Sequence, residues 1–162
     1  MRTEINSFQN VNTILFTDTK EQVIEKLEEQ EIYYIREREL SFRKTRIIVY
    51  FDENNICEGI TVSNDEIEIF VNQKLISANF QTAFKQLKKQ STNYKEIGDY
   101  EKNFIFYDLG VSLYLGIEDV EEDENGNENI IYCKEWNCIE VFSRTNNLFL
   151  KSKDIDNWTD LF

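Results

Sequence analysis

Between Glu118 and Glu128 the chain sets seven carboxylates in eleven positions, with no basic residue among them, inside the stretch "GIEDVEEDENGNENI". Carboxylates at this density can ligate calcium, share protons as a catalytic pair, or present a field to a cation. A calcium loop fails on spacing. With Gly126 at the sixth position, Glu121, Asp123 and Asn125 take the first, third and fifth, but Tyr132 falls at the twelfth, where a bidentate Glu is required. A catalytic pair has no specificity here, because thirty-one acids guarantee that some two lie close together. Two readings stay open: a solvated loop, or an acidic rim that steers a basic partner.

Other chemistry is bounded by absences. The chain has no histidine, which removes the usual general base near neutrality, the His-activated nucleophiles and the commonest metal ligand. Its five glycines never fall into G-x-G-x-x-G or a P-loop spacing. Cys57, Cys133 and Cys138 are odd in number, and the five-position spacing of the last two points them to opposite faces of a regular strand. No catalytic residue, metal or cofactor is expected, and the chain is read as a non-enzyme.

A formal charge of -13 disfavours nucleic acid and anionic membrane as partners, and it suits a basic protein surface. Aromatic residues make up 14% of the chain, enough to argue for a packed core. The polar start "MRTEINSFQN" carries no leader pattern and no apolar run reaches membrane length, so a cytoplasmic location is expected.

These groups must be positioned by elements that the periodicity indicates. "TDTKEQVIEKLEEQ" (17–30) predicts a helix with Asp18 as cap, Glu21 completing a capping box, and Val23, Ile24 and Leu27 as its apolar stripe. "EIYYIRERE" predicts a strand. Ile47, Val49 and Phe51 alternate into a turn at 52–55, and Ile56, Ile60 and Val62 return; "DEIEIFVN" (65–72) alternates cleanly. Ser77 is the expected cap of a second helix over about 78–90, with Phe80, Ala83, Phe84 and Leu87 buried. Val111, Leu113, Leu115 and Ile117 form one strand face against Ser112, Tyr114 and Gly116. The strand is expected to enter a charged hairpin loop (118–129) turned by Asn125-Gly126 as a type I′ pair. "IIYCKEWNCIEVFSR" is expected to return as one long strand bulged near Asn137, ahead of a polar tail (151–162). The predicted class is a single α+β domain over 1–162, mainly antiparallel sheet with two principal helices. Both halves run helix then aromatic-rich hairpin, without aligned identities.

Tyr33, Tyr34, Tyr94, Tyr100, Tyr107, Tyr114 and Trp136 exceed what such a core needs, and exposed aromatics beside acidic rims mark protein contacts. The expected partner-binding residues are therefore Glu118, Asp119, Glu121, Glu122, Asp123 and Glu124, with Tyr114 and Trp136 as anchors. The passages "VYFDENNICEGITVSNDEIEIFVNQKLI" and "FYDLGVSLYLGIEDVEEDENG" resemble the cognate immunity proteins of bacterial polymorphic toxin systems, including contact-dependent growth inhibition. Many of these carry the "FDENN-x-x-EGI" hairpin and a following "DLG-x-SL" strand. The resemblance covers about residues 47 to 124 and transfers no functional residue. It implies a compact, acidic, cytoplasmic protein that binds and neutralises a cognate toxin domain, often a nuclease, by occluding its active site. A non-enzymatic scaffold or regulatory binding module is the alternative.

Overall fold

The computed structural model describes residues 2–27, 32–64, 68–98 and 101–154. In chain order the elements are β1 (Arg2–Asn6), β2 (Asn10–Val11), β3 (Ile14–Leu15), α1 (Lys20–Lys26), β4 (Ile32–Arg36), β5 (Glu39–Phe42), β6 (Ile47–Phe51), β7 (Cys57–Ser63), β8 (Glu68–Val71), β9 (Lys74–Ile76) and α2 (Phe80–Lys88). There follow β10 (Tyr94–Ile97), β11 (Lys102–Phe106), β12 (Val111–Leu115), β13 (Ile117–Glu122), β14 (Glu128–Tyr132), β15 (Cys138–Phe142) and a short α3 (Asn147–Lys151) that runs into a 3-10 turn. The class is α+β, with mostly antiparallel strands and few helices.

An eight-stranded antiparallel sheet, ordered β10-β11-β12-β15-β7-β6-β5-β4, is the frame. Alternation along each strand stacks into rows across it. Phe106, Val111, Val141, Ile60, Val49 and Leu40 lie side by side in register, as do Phe104, Leu113, Ile139, Val62, Ile47 and Phe42. All twelve are buried. They form one core cluster with Val23 and Leu27 of α1, with Phe80, Ala83 and Leu87 of α2, and with Ile5, Val11, Ile69 and Val71 of a five-stranded sheet, β3-β2-β1-β8-β9. In that smaller sheet β1 and β8 run parallel. The outer face of the large sheet carries a second cluster, where α3 lays Phe149 against Phe142 with ring centroids 5.2 Å apart.

Each half of the large sheet is a helix followed by four of its strands: α1 with β4 to β7, and α2 with β10, β11, β12 and β15. The halves meet at β7 and β15. Between β12 and β15 the second half carries an insertion, β13 and β14, which pair only with each other as a separate two-stranded sheet.

Several boundaries differ from the sequence reading for local reasons. Thr19, not Asp18, caps α1. Its side chain accepts from Gln22 N while Gln22 Oε1 accepts from Thr19 N, so the capping box is Thr19/Gln22. Asp18 is instead buried, accepting from Leu15 N at 2.7 Å and pairing with Lys26. Asn79 caps α2, and Ser77 braces it by accepting from Asn79 N. The long strand expected over 130–144 is two strands. Between them Asn137 donates its backbone N–H to Tyr114 O and accepts Gly116 N–H on Oδ1, so its side chain occupies the place of the next ladder bond. Residues 28–31, 65–67, 99–100 and 155–162, with the expectations that fall on them (Tyr100 and most of the tail among them), lie outside the described residues.

Leu113 is 0% exposed and sits between Phe104 and Ile139 in its row. Leu113→Ala is expected to cost about 2–5 kcal/mol, read as a fall in the urea midpoint at unchanged slope. An unchanged midpoint would show that the row is not packed.

Candidate functional site

The acidic segment is more ordered than a loop. Glu118, Asp119, Glu121 and Glu122 lie on β13 itself, whose Val120 pairs with Ile130, Glu121 with Asn129 and Glu122 with Glu128. A register shift between Ile117 and Asp119 bulges the strand at Glu118. Every residue from Glu118 to Asn129 is exposed. Ile117, expected on the inner face with Leu115, instead opens this hairpin opposite Tyr132 and is half-buried.

The turn is also not the expected two-residue type. Gly126 alone among its residues takes positive φ (80°), and Asp123 and Asn127 are linked through Asp123 N–H to Asn127 O. This is a three-residue loop in which a type I turn is followed by a left-handed glycine. Asp123 organises it: Oδ1 accepts the N–H groups of Asn125 and Asn127, and Oδ2 accepts the Asn127 side chain at 2.9 Å. Those bonds, the Asn127 side chain first, hold the Asp123 carboxyl below its ordinary 3.8. Asp123 is thus a turn-former, while Glu118, Asp119, Glu121, Glu122 and Glu124 point their charge outward with Val120 among them, 44% exposed.

The anchors fall elsewhere. Trp136, expected at the surface, is 2% exposed; its indole N–H donates to Ser77 O at 2.7 Å, tying the break before β15 to the entry of α2. It has no free face to offer a partner. Tyr114 lies on the outer face of the sheet, opposite Asn103 and Cys138, and is half-buried. Desolvation first, then hydrogen bonding to Glu101, raises its phenol. Tyr107 is buried with its hydroxyl 3.1 Å from Ser152 Oγ, and Tyr94 is half-committed to the Phe84 ring at 5.4 Å. The excess of rings is spent largely on packing. Among the cysteines, burial pushes the Cys57 and Cys138 thiols up to about 12, which makes both poor nucleophiles.

A second group of residues escaped the sequence reading. The outer-face row beside the two core rows is Ile105, Ser112, Glu140, Thr61, Ile48 and Ser41. A carboxylate therefore stands at the middle of the central strand pair. Burial pushes Glu140 up to about 6 from 4.5. Glu58, nearby at the start of β7, is raised by desolvation and by the charge of Asp52, with Arg38 opposing. Tyr50 is raised by desolvation, with its hydrogen bond to Thr61 opposing and the charges of Glu39 and Glu140 adding to the rise. The sequence signal was present as the single acid in "CIEVF", an alternating strand whose outer face is expected to be wet. Among the described residues no group of three or more His, Cys, Asp or Glu is placed to hold a metal ion, and no helix is long and apolar enough to cross a membrane.

No family model, curated protein or solved structure matches this chain.

Glu140's folded value lies above its ordinary one, so the stability it contributes is fully present below pH 4.5 and lost as pH rises through about 6. The charged form costs about 2 kcal/mol relative to the protonated one. Glu140→Gln is therefore expected to be more stable than the parent at pH 7.5, with the difference narrowing by about 1 kcal/mol at pH 5.5. Urea titrations at the two pH values measure it; a pH-independent difference would show that Glu140 is not the titrating group.

Proposed function

We propose that this chain is an acidic binding protein that neutralises a cognate bacterial toxin domain by covering its basic active site, acting in the cytoplasm and without chemistry of its own. One observation carries the reading. The β13–β14 hairpin is a separate two-stranded sheet with seven exposed carboxylates and no basic residue, carrying an exposed Val120. A solubility loop needs neither a built turn nor a β-ribbon. A ribbon that holds carboxylates at strand spacing can meet a row of basic groups in register, and its outer strand edges leave backbone groups for pairing.

The resemblance of residues 47 to 124 to polymorphic-toxin immunity proteins supplies the partner class. Such toxins are often nucleases, whose substrate-binding surfaces are cationic, and a ribbon of carboxylates stands in for the phosphate backbone they bind. Val120 and Ile130, paired on one face of the ribbon, take the apolar role that Trp136 does not fill.

Asp123 must be left intact in a test, because its bonds form the turn. A variant with Glu118, Glu121, Glu122 and Glu124 changed to Gln and Asp119 to Asn is expected to fold as the parent does. Against a candidate toxin domain encoded in a neighbouring reading frame, where one is found, its association rate should fall tenfold or more at low salt. The gap should close as screening shortens the field to about 8 Å at physiological ionic strength and below that beyond it. Equal association rates at low salt would dismiss the ribbon as the steering element; absence of any binding by the parent would dismiss the toxin reading.

A further inference from the structure

At the end of β15 away from the hairpin, the outer faces of β6, β7 and β15 enclose a cavity of about 250 Å³. Tyr50, Glu58, Thr61, Glu140, Phe142 and Asn146 line it, and no basic residue does. Glu140 lies between Ser112 and Thr61 in register, neither of them charged. No hydrogen bond or ion pair from a described residue reaches its carboxyl. Thr61 Oγ1, on the neighbouring strand, is buried, and the Tyr50 hydroxyl is the group within its reach. Glu140 is half-buried, so its carboxylate gives up part of its hydration with no partner from the fold in return.

The space itself comes from Gly59, which stands between Tyr50 and Phe142 in register. A Cβ there would lie 3.5 Å from Asn146 Nδ2 and 3.8 Å from Tyr50 Cδ2, ordinary contact distances. A side chain is therefore compatible with the backbone at this position, and its absence leaves room. Asn146 is a fixed part of the wall: its amide donates to Glu58 O at 3.2 Å, and its Oδ1 accepts Phe149 N–H at 2.9 Å.

We infer that this cavity binds an organic cation, a guanidinium or ammonium group on a short apolar stem, with the Glu140 carboxylate as its charge partner. The Tyr50 and Phe142 rings offer the stem an apolar wall and the cation a π-face. Glu140 and Thr61 give the head an ion pair and a hydrogen-bond acceptor. An incoming cation compensates the carboxylate that the fold leaves unpaired, so it is favoured over a neutral ligand of the same shape. A bare metal ion fits less well, since the carboxylates at hand are two and the walls are aromatic. The chemistry is shared by a free alkylamine and by an arginine or lysine side chain presented by a protein. The site is independent of the hairpin, and its test requires no toxin.

Titration of n-butylguanidinium chloride into nitrogen-15-labelled protein, followed by amide shifts, tests the assignment, with n-butanol as the neutral control. Saturable shifts at Gly59, Thr61 and Glu140 are expected for the cation and not for the alcohol. Glu140→Gln should weaken binding tenfold or more, and Gly59→Val should do the same by filling the space, both with folded spectra. A pentapeptide of glycines around one arginine that binds tighter than n-butylguanidinium assigns the cation to a protein side chain; weaker binding assigns it to a small molecule. The absence of saturable shifts in the parent, equal binding of n-butanol, or undiminished binding by Glu140→Gln would overturn the site.

Discussion

The pairing of β7 with β15 is the contact on which the architecture rests. Five register pairs, from Cys138 with Ser63 to Phe142 with Gly59, join two four-stranded sets into one sheet. The parity of that pairing places Ile139, Val141, Ile60 and Val62 inward and forces Glu140 and Thr61 outward. A slip of one residue would exchange the two sets and bury a carboxylate in the apolar core. The core and the recessed carboxylate are therefore one choice made at one interface.

Much of the frame was legible because alternation is a local signal. The rows through Val111 and Leu113, the return of Ile60 and Val62, and the stripes of both helices follow from period alone. What escaped was non-local. Cap identity shifted from Asp18 to Thr19 because Asp18 is drawn into a buried pair with Lys26, a partner on the far turn of the helix. The single strand across 130–144 broke because Asn137 bonds to Gly116 and Tyr114, which pattern cannot show. The hairpin's acids were visible and its turn was misjudged, since Asn125-Gly126 suits two loop lengths and Asp123 selects the longer. Trp136 read as surface because "KEWN" is polar around it, whereas its indole reaches a carbonyl from distant Ser77. Glu140 could not be singled out among thirty-one acids without knowing which strand lies at the centre.

The chain uses its negative charge in two opposite ways. On the ribbon the carboxylates stand in solvent, Asp123 apart, and repel one another weakly through water. At Glu140 a single half-buried carboxylate has lost part of its water and acts mainly on what touches it, more strongly than in bulk solvent. The proposed steering and the proposed capture therefore fall on different residues, the ribbon inserted ahead of β15 and the middle of β15 itself, and can change independently.

The insertion between β12 and β15 has a consequence for how the chain is made. Strand β7 is complete early in synthesis and pairs with β6, but its second sheet partner, β15, arrives only after α2, β10 to β12 and the whole ribbon have been produced. Through that interval β7 is an uncapped edge carrying Ile60 and Val62, the kind that templates pairing between nascent chains. Lengthening the wait by a hairpin would aggravate the hazard if the hairpin were neutral. Its seven carboxylates leave the ribosome just before β15 does, and they supply the unfinished chain with mutual repulsion at the moment its exposed edge is oldest.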